Sequence, residues 1–243
     1  MPSPIEKRLI AALSSQSLSL RGCFTPVAAD GLPTLANGEP AASVWMVGVI
    51  GSAFWPHFKS SAFYTDGQPD PLDRWSRAIA EELAARFGGL ALFPFDGPPY
   101  HPFQRWADRS DVTQPSRMLL RIHPEHGLWH AYRFALALPV MLDGAEANAP
   151  QAITPPRKAT LPTPATDLCA TCSGQPCQQA CPVGAYTGAA FLIEACASHL
   201  HSAQGTDCMQ GGCLARRACP VAPELRYTQE HAAFHMQAFA GQH

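Results

Sequence analysis

Eight of the nine cysteines in this chain stand in two groups of four, and each group ends on a Cys-Pro pair. The first group is Cys169, Cys172, Cys177 and Cys181, followed by Pro182. The second is Cys196, Cys208, Cys213 and Cys219, followed by Pro220. Thiolates are soft ligands, and a [4Fe–4S] cube takes four of them, one for each iron. Two groups of four therefore match the ligand demand of two cubes.

The spacing runs C-x2-C-x4-C-x3-C-P, then C-x11-C-x4-C-x5-C-P. The bacterial two-cluster run is C-x2-C-x2-C-x3-C-P, so both groups depart from it by insertions. Gly174, Pro176, Gly211 and Gly212 fall inside those insertions. Glycine supplies the positive φ that a chain needs to bend around an inorganic core. Proline after the last cysteine is expected to open a helix leading away from it.

Two other uses of these thiols compete. Disulfides need an oxidising compartment, and no secretory signal is recognisable. Zinc favours paired C-x2-C knuckles, and the chain has one C-x2-C. The eight cysteines are therefore taken as metal ligands for two [4Fe–4S] clusters. Cys23 lies far from them and is expected to be a small buried hydrophobe.

Composition limits the remaining possibilities. The chain has 243 residues, 47% hydrophobic and 15% charged, which is enough to bury a real core. A net charge of -2 gives no basic field to attract nucleic acid or an anionic membrane. No run of about eighteen apolar residues occurs, so no membrane association is expected. A reducing cytoplasm is the expected location. The 24 prolines are about twice the usual share and imply long loops.

A helix is expected from Pro4 to Ser15, followed by a loop from Ser17 to Pro40. Val44 to Gly51 reads as a strand buried on both faces. A helix follows Asp70 as N-cap and Pro71 as first residue, and ends at Gly88-Gly89. Leu90 to Phe95 reads as a strand and Pro102 to Asp108 as a helical turn. Met118 to His123 and Leu128 to Leu138 read as two strands of one hairpin. Helices are expected at Val183 to Tyr186, Ala189 to His201 and Pro223 to Phe239. The proline-rich stretch 143–167 reads as a linker between a domain at 1–142 and another at 168–243.

The hairpin carries His123, His126, Trp129, His130, Tyr132 and Arg133. Such a set is able to line a pocket or simply to form a polar edge. His57, His101, His199 and His201 read as ordinary solvated side chains, and Arg216-Arg217 as screening or surface charge.

Met46-Val47-Gly48 through Trp55, Asp70-Pro71-Leu72-Asp73, and His123-Pro124 through Gly127, Trp129, Ala131 and Arg133 resemble the CblC cobalamin-processing family. The cysteine half resembles the double-cluster tail of epoxyqueuosine reductases and reductive dehalogenases. The resemblance implies an α+β architecture: a nitroreductase-like domain that binds a corrinoid or, second, FMN, followed by a ferredoxin-like domain with two [4Fe–4S] clusters. It also implies a corrinoid-dependent oxidoreductase fed by an electron-donor protein or reductant. His123, Trp129, Tyr132 and Arg133 are then the cofactor-pocket residues. No catalytic acid is assigned. By analogy with the split ligation of two-cluster ferredoxins, Cys169, Cys172, Cys177 and Cys219 would hold one cluster. Cys181, Cys196, Cys208 and Cys213 would hold the other. The alternatives are a simple electron-transfer protein whose first domain docks a partner enzyme, and a cobalamin carrier.

Overall fold

The structure is a computed structural model that describes residues 4–140 and 167–242. The architecture is α+β. Contacts divide the described chain into two units, one of residues 4–111 and 131–140, the other of 112–130 and 167–242. The cysteine unit thus recruits nineteen residues, 112–130, from the half expected to form the first domain. The expected linker lies outside the described residues, apart from Asp167.

The first unit is built on four strands: β1 (Ser19–Phe24), β2 (Ser43–Ile50), β3 (Leu90–Leu92) and β4 (His130–Leu138). They lie in the order β1-β2-β4-β3, and β1 occupies part of the stretch expected to be loop. β1 runs antiparallel to β2, with Ser19 opposite Gly48 and Phe24 opposite Val44. β3 runs antiparallel to β4, with Leu90 opposite Ala137. β2 is internal, and all its residues but the last are buried, which explains its unbroken apolar run.

Helices flank this sheet: α1 (Pro4–Ser14), α2 (Trp55–Lys59), α3 (Ala62–Thr65), α4 (Pro71–Phe87) and α5 (Phe103–Ser110). α4 buries Leu72, Trp75, Leu83 and Phe87, and Gly88 ends it in the left-handed conformation. Asp70 precedes it but does not cap it, because its own φ of 49° is left-handed and its side chain makes no capping bond. Phe24, Val44, Met46, Leu92, Phe103 and Trp106 share one core cluster with Ala135 and Ala137. The small residues of β4 leave room there for the Trp106 ring.

The second unit has little regular structure. Gln114–Pro115 pairs with Arg121–Ile122, and His123 and Gly127 exchange both backbone hydrogen bonds at 2.9 and 2.8 Å. The expected hairpin of 118–123 with 128–138 does not form. A tight turn at Ser116–Leu120, with Leu119 at φ 58°, takes Met118 out of any strand, and β4 pairs within the four-stranded sheet instead.

Five short helices follow: α6 (Pro176–Gln179), α7 (Ile193–Leu200), α8 (Thr206–Gly211), α9 (Leu214–Arg217) and α10 (Gln229–Ala240). The helix expected after Cys181-Pro182 is absent. Gly184 turns the chain at φ 57°, and Tyr186 makes a bridge to Phe191. Met118, Ile122 and Leu128 share a core with Ala215, Cys219 and the half-buried Cys169, Cys177, Cys181 and Cys213.

Candidate metal centres

None of the nine cysteines is in a disulfide. The eight in the second unit gather into two sets. The thiols of Cys177, Cys169 and Cys172 lie near enough to Cys219 to oppose its ionisation. Cys181, Cys196, Cys208 and Cys213 line one cavity together with Val183, Leu200 and Met236. Each set takes three cysteines from one sequence group and one from the other, the crossed arrangement that split ligation requires.

The folding that produces this crossing is local. α9 (Leu214–Arg217) lies between Cys213 and Cys219, so its two ends serve different sets. Likewise α6 ends just before Cys181 and begins just before Cys177. A proline and a short helix therefore suffice to hand the chain from one set to the next.

Both sets receive hydrogen bonds at sulfur. The Ala185 N–H donates to Cys181 Sγ at 3.2 Å. The backbone of Leu214 bonds the Cys208 thiol, that of Val221 the Cys219 thiol, and that of Arg117 the Cys169 thiol. Gln178 Nε2 lies 4.0 Å from Cys177 Sγ and donates to the Arg117 carbonyl at 3.2 Å. Tyr186 Oη lies 4.0 Å from Cys213 Sγ. Burial, and then the nearby Cys213, push the Tyr186 phenol well above its ordinary range, so it stays protonated.

Burial pushes the Cys196 thiol up to about 11, and Cys213, Cys181 and Cys208 add to the shift. Burial also raises Cys169, Cys208 and Cys219, while the backbone donors pull the other way. Four thiolates packed this closely repel one another unless a cation sits among them. A metal supplies that charge and displaces the protons. Among the described residues, no three His, Cys, Asp or Glu side chains converge on a single-ion site. Eight thiols in two sets of four are the donor type and number that two cubes take.

Residues 112–130 roof the thiols: Met118, Ile122 and Leu128 share a core with Cys169, Cys177 and Cys219 of one set and with Cys181 and Cys213 of the other. Gly127 has φ 55°, and a Cβ there would stand 2.2 Å from the Val221 carbonyl oxygen. Only glycine lets the 123–127 turn approach the chain just past Cys219-Pro220 so closely. Arg216 bonds the Leu128 carbonyl through both Nε and Nη2 and reaches Tyr227 Oη at 3.1 Å. Its guanidinium lies over the Trp129 and Tyr227 rings at 4.9 and 4.4 Å. It is an anchor of the roof and not surface charge. Arg217 pairs with Asp207 at 2.7 Å.

The four residues expected in a cofactor pocket are divided between the units. His123 and Trp129 belong to the second and Tyr132 and Arg133 to the first. His123 Nδ1 accepts the N–H groups of Glu125 and His126 at 3.0 and 3.2 Å. Trp129 is 3% exposed and packs on Tyr227. Tyr132 donates to Asp111 at 2.9 Å, and Asp111 also takes Arg21 at 2.7 Å. Arg133 donates to Ser76 Oγ at 3.0 Å and pairs with Asp73. Neighbours on a strand point to opposite faces, so Tyr132 and Arg133 do not share a wall. Each of these four side chains makes contacts within its own unit.

A separate cleft in the first unit is lined by Glu6, Ile10, Ser14, Leu18, Cys23 and Trp45 among others. Burial, and secondarily Glu6, push the Cys23 thiol up to about 11, which leaves it unreactive at neutral pH. No helix of the described residues is long and apolar enough to cross a membrane. Compared with known proteins, the chain matches no family model, no curated protein and no solved structure.

The backbone donors at 117, 185, 214 and 221 carry no signal in the sequence, because any residue type supplies an N–H. Arg216 read as screening or surface charge, because its contacts with Leu128, Trp129 and Tyr227 are tertiary.

Proposed function

We propose that the chain is an iron–sulfur redox protein that passes single electrons through two [4Fe–4S] clusters in a ferredoxin-like C-terminal unit. The observation that carries this reading is the gathering of eight free thiols into two crossed sets of four, with hydrogen-bond donors at sulfur. When bound, such clusters supply one-electron carriage. The protein's own residues hold them, shield them and tune them. Cys169, Cys172, Cys177 and Cys219 hold the first, and Met118, Ile122 and Leu128 pack with cysteines of both sets. Cys181, Cys196, Cys208 and Cys213 hold the second, in a cavity walled by Leu200 and Met236. N–H groups pointed at sulfur offset the negative charge that arrives with an electron.

The first unit serves as the seat of the electron acceptor, and the nitroreductase-like reading of it belongs to this proposal. The resemblance in sequence names a corrinoid as that acceptor, with reductive cobalamin processing as the activity. No step is drawn through a corrinoid. Docking of a partner enzyme is the second reading. Addition of cobalamin to the purified protein separates the two: the first gives a bound, reductant-sensitive corrinoid, the second none.

The cluster assignment is tested by two substitutions. Cys213→Ser is expected to remove one cluster and leave the other, and Cys177→Ser to do the converse. Iron content should fall by about half in each. Loss of neither cluster in either variant contradicts the assignment.

A further inference from the structure

We propose that His199 donates its Nε2–H to sulfur in the second cluster set and thereby raises that cluster's reduction potential. The proposal rests on the iron–sulfur reading and adds a residue to it that no ligand pattern includes.

Three observations converge on His199. It lies on α7 (Ile193–Leu200), three residues after Cys196, so both project from one face of the helix. Both line the same cavity as Cys181, Cys208 and Cys213. Its Nε2 is buried and has no hydrogen-bond partner. A buried imidazole nitrogen without a partner is costly, and native folds rarely leave one so. Besides the four cysteines, the wall carries the Tyr186 hydroxyl, itself 4.0 Å from Cys213 Sγ, and apolar side chains, among them Val183, Leu200, Leu214 and Met236.

The backbone at His199 is tied down. Its carbonyl accepts the Ser202 N–H at 3.0 Å and the Ser202 hydroxyl at 2.7 Å. A Cβ at Gly205 would stand 1.9 Å from the same oxygen, so this corner is closed by a glycine that permits the approach. The fold therefore fixes the backbone from which the ring emerges beside the thiol cavity. A ring N–H pointed at cluster sulfur stabilises the reduced, more negative state relative to the oxidised one. The first set has backbone donors and Gln178 but no ring donor of this kind among its described partners.

The test uses the whole protein, purified anaerobically with its clusters. His199→Phe keeps the ring and removes the donor. It is expected to make reduction of one cluster about tenfold less favourable, a shift of 59 mV for a one-electron couple, with the other midpoint unchanged. The Cys213→Ser variant identifies which midpoint belongs to which cluster. His199→Gln retains an N–H and is expected to restore much of the shift. Fully loaded His199→Phe with both midpoints unchanged, or the affected one raised, overturns the proposal. If His199→Phe fails to load, the unaltered protein decides. With 15N-histidine, pulsed EPR of the reduced second cluster should show a weak nitrogen coupling, and its absence overturns the proposal. A wild-type protein without iron would instead sink the iron–sulfur reading on which the proposal stands.

Discussion

The two units are stabilised by different means. The first has an apolar core of its own, with Trp106, Phe24, Phe134, Met46 and Leu136 each under 2% exposed. The second has helices of at most twelve residues, and half-buried cysteines make up much of its core. Helices shorter than about twelve residues are marginal without tertiary support. Where the first unit places Phe and Trp, the second places thiols whose ionisation is opposed by burial and by one another. The first unit folds on hydrophobic burial; on the iron–sulfur reading proposed above, the second is expected to need what its thiols bind.

Removal of iron is the largest expected perturbation. Chelation under reducing conditions should abolish hydrogen-exchange protection across 167–242 and across 112–130, and leave the four-stranded sheet protected. Retained protection of the second unit without iron would break the comparison. Trp106→Ala acts in the opposite place. The ring is fully buried, lies 5.2 Å from Phe103 and donates to Asp30 at 3.0 Å. Its truncation should cost the first unit about 3–5 kcal/mol, read by denaturant unfolding, with cluster content unchanged.

Gly127→Ala is smaller and sharper. The strained φ and the approach to Val221 should cost the second unit about 1–3 kcal/mol. The cluster held through Cys219 should be lost on mild chelation before the other. Equal loss of both clusters would show that the Gly127–Val221 approach does not support the Cys219 side selectively. The smallest effect is on pH. The Cys23 thiol is raised from 9.0 to about 11, so the folded first unit favours the protonated form. Its contribution is fully present below pH 9 and is lost as pH rises from 9 toward 11. Cys23→Ala should flatten that part of the unfolding midpoint against pH.

Much of the first unit was legible from its periodicity. Val44 to Gly51 read as a doubly buried strand and is one, within a residue at each end. α4 was marked by Pro71 and by Gly88. β1 was not legible, because Ser19–Phe24 alternates weakly and carries Gly22, which sits at φ 96° beside a shift in strand register. The ligand groups were visible as cysteine counts, yet the membership of 112–130 in the cysteine unit was not. Its partner is a turn held by Ser116 and by contact of Gly127 with Val221, both tertiary facts. His199 read as a solvated histidine, since nothing in the sequence shows that its Nε2 is buried or that it lines a cavity with four cysteines. Asp70 read as a helix cap from its type and position, but its left-handed backbone turns the carboxylate away from that role.

Anaerobic purification followed by analysis of iron and acid-labile sulfide tests the central claim most directly. Two cubes require about eight irons and eight sulfides per chain, with a brown protein that bleaches on reduction. A colourless protein, or one with zinc in place of iron and no labile sulfide, would contradict it.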